Sequence, residues 1–173
     1  MFDYLNMVVP AVVTIIGFIV TYFTTRHSIK EEIHKQKTGI YLEELSKVPM
    51  EVLTLMDDML KNPKSNSVLN DYKSIMSKIF AYGTKEAIAI VSSMQRQNYS
   101  LAANSDSKTK SRLIAYYVLL VCQIKYDLTG IEITPEHWYN MKLTDYPNRK
   151  NELDKANNDI VKELDLPNFL IIK

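Results

Sequence analysis

The stretch ITPEHWYNMKLTDYP brings an imidazole and two carboxylates close in sequence: His137, Glu136 and Asp145. An imidazole titrates near neutral pH, and a nearby carboxylate can orient it or share proton transfer with it. Such a group is the minimum for general acid–base chemistry. Tyrosines on either side would complete an enzyme site dispersed over this segment. The same residue types also serve helix starts and exposed turns, so no catalytic residue is assigned. An enzyme working through Glu136, His137 and Asp145 stands as the alternative to a binding role.

Elsewhere the chemistry thins out. His27 and His34 are seven apart and share a helix face. Metal ligands on one helix are more often four apart, and no cysteine or carboxylate constellation joins these two. They read as polar residues near lipid headgroups, and no metal or cofactor is expected. Cys122 is the one cysteine, so no intrachain disulfide can form. It ends an unbroken apolar run from Leu113, where a thiol stays protonated and inert. Four glycines in 173 residues leave little for a phosphate-cradling loop, and GxSxG, HExxH and CxxC are absent.

The feature that dominates the sequence carries no reactive group. From Leu5 to Thr25 there are 21 uncharged residues. As a helix this run spans about 31 Å at about 1.5 Å per residue, the thickness of a bilayer's hydrocarbon core. A cleaved signal would begin with positive charge and end in small residues. Here the first charge is Asp3, and the exit carries Tyr22 and Phe23. A retained transmembrane helix is therefore expected over residues 1–25. Arg26, Lys30, Lys35 and Lys37 follow it, while the other flank has no Lys or Arg. This asymmetry predicts a single pass of an inner or plasma membrane, N-terminus outside and the remainder cytoplasmic. Pro10, Thr14, Gly17, Thr21 and Thr24 recur at spacings of four and three. The stripe, centred on Thr14, Gly17 and Thr21, is the expected face of a weak homodimer within the lipid.

Beyond the anchor lie one juxtamembrane helical region, 26–61, and a helical bundle, 62–173. In the first, Ile29, Ile33 and Ile40 mark an apolar side. Tyr41, Leu45, Val48, Val52, Leu55, Met56 and Met59 continue at helical period, with bends or breaks expected at Gly39 and Pro49. Packing of this seam on the chain's own domain is favoured over a coiled coil. A turn at 61–67 leads to a helix from Val68, with Leu69, Tyr72, Ile75, Met76, Ile79 and Phe80 as its buried side. Gly83 should end it in the left-handed conformation, and Thr84 should cap the next. RLIAYYVLLVCQIKYDLTG is too short between its charges to cross a bilayer and reads as the central helix, closed by Gly130. Thr134 and Pro135 open a short helix bearing Trp138 and Met141. The last helix carries Leu153, Ala156, Ile160, Val161 and Leu164 on one face, and the apolar tail NFLIIK should dock or form a short strand.

The segments KIFAYGTKEAIAIV and LLVCQIKYDLTGIEITPEHW resemble a loose group of uncharacterised bacterial and phage proteins. In these, a single N-terminal membrane helix precedes a helical domain with a Tyr-Gly-Ser/Thr turn and, later, an Arg-Lys-Asp-Leu-Gly segment. The likeness covers about residues 70–140. This chain departs at Lys125-Tyr126-Asp127-Leu128-Thr129-Gly130, by a substitution and an inserted threonine. The resemblance implies the architecture and brings no activity and no site residues with it.

Charge is nearly balanced, 21 Lys and Arg against 20 Asp and Glu. Nucleic-acid binding leaves a basic surplus, so no nucleic-acid partner is expected. Lysine outnumbers arginine 17 to 4, a bias that fits an AT-rich bacterial or phage genome. The expectation is an all-α, membrane-tethered binding or regulatory protein whose partners are the bilayer and a protein at the membrane. A membrane-active effector in phage–host conflict is a further alternative.

Overall fold

The structure, a computed structural model, describes the backbone of residues 2–61, 65–103 and 106–173. It describes the side chains of these residues except 2–17, 19–20, 30–31, 33–37, 60–61 and 100–103. The chain is all-α: α1 (Phe2–Lys61), α2 (Asn66–Tyr82), α3 (Lys85–Ala103), α4 (Ser107–Thr129), α5 (Pro135–Lys142), α6 (Tyr146–Glu163) and a 3-10 turn, Asn168–Leu170. Among the described residues there is no strand. The chain divides into two units, 1–41 and 42–173.

The first unit is one element, the N-terminal part of α1. The uncharged run is helical along its length. Among the described residues, no helix is long and apolar enough to cross a membrane. The side chains of 2–17, which make up most of the run, lie outside the described ones. Near its end, Phe18, Tyr22 and Phe23 are exposed, at 72%, 60% and 63%. The Tyr22 and Phe23 rings meet edge to face at 5.7 Å. α1 also runs through Gly39 and Pro49 without interruption, against expectation. Proline inside a helix removes one N–H and crowds the carbonyl four residues before it. At Pro49 that cost is offset by Leu45, Val48 and Val52, all essentially without solvent contact.

In the second unit α4 is the centre. Ala115–Leu120 and Cys122–Ile124 are all buried except the half-buried Val121. The helix is apolar on every side because α3 and α6 flank it and α5 packs on it as well. The C-terminal part of α1 adds Leu45, Val48, Val52, Leu55 and Met56 to the core at helical period. Its end is tied down by Tyr117, whose hydroxyl donates to Met59 Sδ at 3.2 Å, and by the Lys142–Asp57 ion pair at 3.7 Å.

α2 corrects the expected burial. Val68, Ile75 and Ile79 are buried, but Leu69 and Phe80 are exposed, at 50% and 78%. Residues 68, 75 and 79 line one stripe of the helix, while 69, 76 and 80 line the flank beside it. Only the first stripe meets the core. Ser65 caps α2, accepting from the Ser67 N–H at 3.3 Å.

The helix joints rest on different physics from residue to residue. Gly83 is extended, φ −79° and ψ 157°, not left-handed as expected. Glycine is needed there because an added Cβ would lie 2.5 Å from the Ile79 carbonyl oxygen. Thr84 does cap α3, its hydroxyl accepting from the Ala87 N–H at 3.3 Å. Gly130 is left-handed at φ 68° and ends α4. Thr134 holds the N-cap position of α5, but its hydroxyl makes no capping bond. On α5 the buried anchors are Pro135 and Tyr139, while Met141 is 76% exposed.

The C-terminal tail docks on α6. Asn157 donates to the Leu170 carbonyl at 2.8 Å. The Asn158 amide grips one backbone unit from both sides, accepting from the Ile172 N–H at 2.9 Å and donating to its carbonyl at 2.8 Å. Leu166, Leu170 and Ile172 are buried, and Phe169 meets Tyr126 with ring centroids 4.7 Å apart.

Candidate functional site

α5 and α6 hold the residues with acid–base potential, and they split them between two clusters. Glu136, in the first turn of α5, accepts from Lys150 of α6 at 2.5 Å. Lys150 also reaches the Tyr146 hydroxyl at 3.3 Å and Asp154 at 3.2 Å. Tyr146 donates to Asp154 at 2.7 Å. The bond to Glu136, chiefly, raises the Lys150 pKa. Burial pushes the Tyr146 phenol up to about 12. At neutral pH the lysine is an ammonium and the tyrosine a neutral phenol, so neither is a base. The cluster, one ammonium between two carboxylates, is a clasp between two helices.

Asp145 faces elsewhere, 3.4 Å from Arg149. Arg149 in turn donates to Ser111 at 2.8 Å. Ser111, fully buried on α4, donates to Glu152 at 2.6 Å, and Ser107 donates to the same carboxylate oxygen at 2.9 Å. These two hydroxyls hold Glu152 below the usual carboxylate range. A carboxylate so stabilised is a poor base, and Ser111 is not activated as a nucleophile. His137 is exposed. The structure thus gives Glu136 and Asp145 different cationic partners and places His137 at the surface.

The remaining candidates are as follows. Cys122 is buried, and burial pushes its thiol up to about 12, the inert state expected of a core cysteine. Thr21 and Arg26 are exposed. The Thr24 hydroxyl donates to the Thr21 carbonyl at 3.3 Å, a bond within its own helix. The side chains of Thr14, Gly17, Lys30, Lys35 and Lys37 lie outside the described residues.

No family model, curated relative or solved structure matches this chain.

Two features escaped the sequence reading. The first joins the turn AYGTKEA to the end of α4. The Thr84 hydroxyl donates to Asp127 at 2.8 Å while capping α3, and Gln123 donates to the other Asp127 oxygen at 2.8 Å. Burial raises the Asp127 pKa against the pull of these two donors. One carboxylate therefore locks the start of α3 to the last turns of α4. Residues 43 apart in sequence form this joint, and no local pattern announces it.

The second is an open groove between α2 and α3 of about 620 Å³, lined by Tyr72, Met76, Phe80, Ile88 and Tyr99 among others. Phe80 and Tyr99 are 78% and 69% exposed. Tyr72 is held in place at the groove's inner edge, donating to Gln95 and accepting from Asn98 at 2.9 Å. Among the described residues of its lining, Lys73 is the only charged one. The signal was present in the sequence: α2 has more apolar positions than one buried stripe can use.

Proposed function

We propose that this chain is a membrane-tethered helical binding protein, bacterial or phage, with one N-terminal pass, its N-terminus outside and its bundle in the cytoplasm. The observation that supports this most is the uncharged 21-residue run. It is unbroken helix, it ends in exposed Phe18, Tyr22 and Phe23, and Arg26 follows it. Aromatic rings prefer the headgroup level, and basic residues the cytoplasmic side. A tether confines the bundle to the membrane surface and raises its effective concentration for partners there without new contacts.

The bundle offers such a partner the α2–α3 groove. Its apolar floor and single lysine suit an amphipathic helix that sets a carboxylate opposite Lys73. The enzyme reading is not favoured, because Glu136 and Asp145 are paired to Lys150 and Arg149 respectively. Alkaline carbonate extraction tests the tether: the chain should remain in the membrane pellet, and release to the supernatant would overturn it. Enzyme and fluorescent reporters fused at the C-terminus test the orientation. Pull-down from native membranes then compares wild type with Phe80→Glu at equal helix content. A partner retained by the variant places binding elsewhere.

A further inference from the structure

We propose that residues 26–41 of α1 form a parallel two-stranded coiled coil with a second copy of this chain, through a seam of Ile29, Ile33 and Ile40. The inference rests on the membrane reading for its parallel alignment. The first unit contains no element besides α1, and within it Ile29 and Ile40 are 51% and 60% exposed. Short isolated helices are marginal in water and gain most of their stability from packing an apolar face. Here the apolar face is present in the sequence, and its two described isoleucines, Ile29 and Ile40, are exposed.

The register follows from the spacing. Ile29, Ile33 and Ile40 are separated by four and seven, which places Ile29 at d and Ile33 and Ile40 at a of consecutive heptads. The same register puts Glu32 at g and Lys37 at e. In a parallel pair, g of one heptad faces e of the next heptad on the other strand, so positions 32 and 37 bring opposite charges together across the seam, twice by symmetry. An antiparallel pair would lose this match, and two anchors in one bilayer enforce the parallel one. Arg26 at a and Gln36 at d interrupt the seam, so the high local concentration a membrane provides would strengthen the pair.

The same register decides against a combined interface. Thr14, Gly17 and Thr21 fall at c, f and c. They lie on the order of 110° around the helix from the isoleucine seam at roughly 100° per residue. A straight pair of helices packs along one face or the other.

Disulfide scanning of the full chain in its membranes tests this. The native chain has one cysteine, buried Cys122, which supplies the blank. Single substitutions Ile29→Cys, Ile40→Cys, Glu31→Cys, Thr38→Cys and Gly17→Cys are oxidised mildly. Self-crosslinking at both 29 and 40, several-fold above the f positions 31 and 38, is expected; like-to-like bonds at two separated positions require parallel strands. Uniform crosslinking, none at all, or crosslinking at 17 without 29 would each overturn the seam. Glu32→Lys should lower the Ile40→Cys yield several-fold, and Glu32→Lys with Lys37→Glu should restore it. No recovery overturns the assigned register. Carbonate extraction of the same samples separates the two readings: release of the chain with the crosslinks retained overturns the tether and leaves the seam standing.

Discussion

α1 contains two stretches with apolar residues at helical spacing and opposite fates. Within 42–61, Leu45, Val48, Val52, Leu55 and Met56 are buried in the bundle. Within 18–41, Phe18, Tyr22, Phe23, Ile29 and Ile40 are exposed. Both stretches are helix, and both carry the pattern that calls for a cover. The first finds it in its own chain. The second has its described apolar side chains exposed, and lipid or another copy is the cover proposed for it. Periodicity fixes which side of a helix is apolar; it is silent on what covers that side.

The sharpest test of this contrast is energetic. Leu45→Ala should cost about 2–5 kcal/mol in denaturant unfolding, the range for emptying a packed leucine site. Ile40→Ala should stay within about 0.5 kcal/mol in detergent, where a surface change has little to lose. Equal costs would mean that the exposed stretch is also packed.

The tail gives the next largest effect. Asn157→Ala removes the donor to the Leu170 carbonyl inside the core. A buried group left without its partner costs about 1–3 kcal/mol. Limited proteolysis should then cut residues 167–173 first, and a tail as resistant as wild type would show that Leu170 and Ile172 hold it by burial alone.

Two carboxylates in the bundle should respond to pH with opposite signs. Asp127 is raised by burial, so the folded chain holds that proton more tightly than the unfolded chain does. Its contribution is complete below the unfolded value, about 4, and is lost as pH rises through the raised folded value. Glu152 is depressed by Ser111 and Ser107. Its contribution is present above the unfolded value and is lost as pH falls through the depressed one. Denaturant midpoints across the acid range should therefore change slope in opposite directions in Asp127→Asn and Glu152→Gln. Slopes that move the same way would contradict the assigned causes.

The smallest effect belongs to the surface. His137→Ala should alter stability by no more than about 0.5 kcal/mol. Any larger loss would show that His137 has a partner in the fold.

Much of the helix plan was legible. The central helix, its stop at Gly130, the cap at Thr84 and the apolar face of α6 all follow from local rules that need only neighbours in sequence. Errors arose where the rule was right and the circumstance was not local. Gly83 does end α2, but it is glycine because of the Ile79 carbonyl rather than a left-handed turn. Pro49 should break a helix and does not, because Leu45, Val48 and Val52 on its core side are buried. Leu69 and Phe80 fit an apolar pattern but exceed what one contact face can cover.

The sequence by itself determined most of the helix plan, the all-α class and the uncharged run, because each depends on residue types within a few turns of one another. Only the tertiary structure decided that Glu136 and Asp145 belong to separate clusters, that Thr84 and Asp127 meet, and that Asn158 clasps Ile172. Those contacts join residues from 4 to 43 apart, and the long ones are set by which helix packs on which. Packing is a sum over many weak burials, each nearly indifferent to the identity of its neighbour. A chain therefore shows which faces must be buried long before it shows which polar groups that burial will bring together.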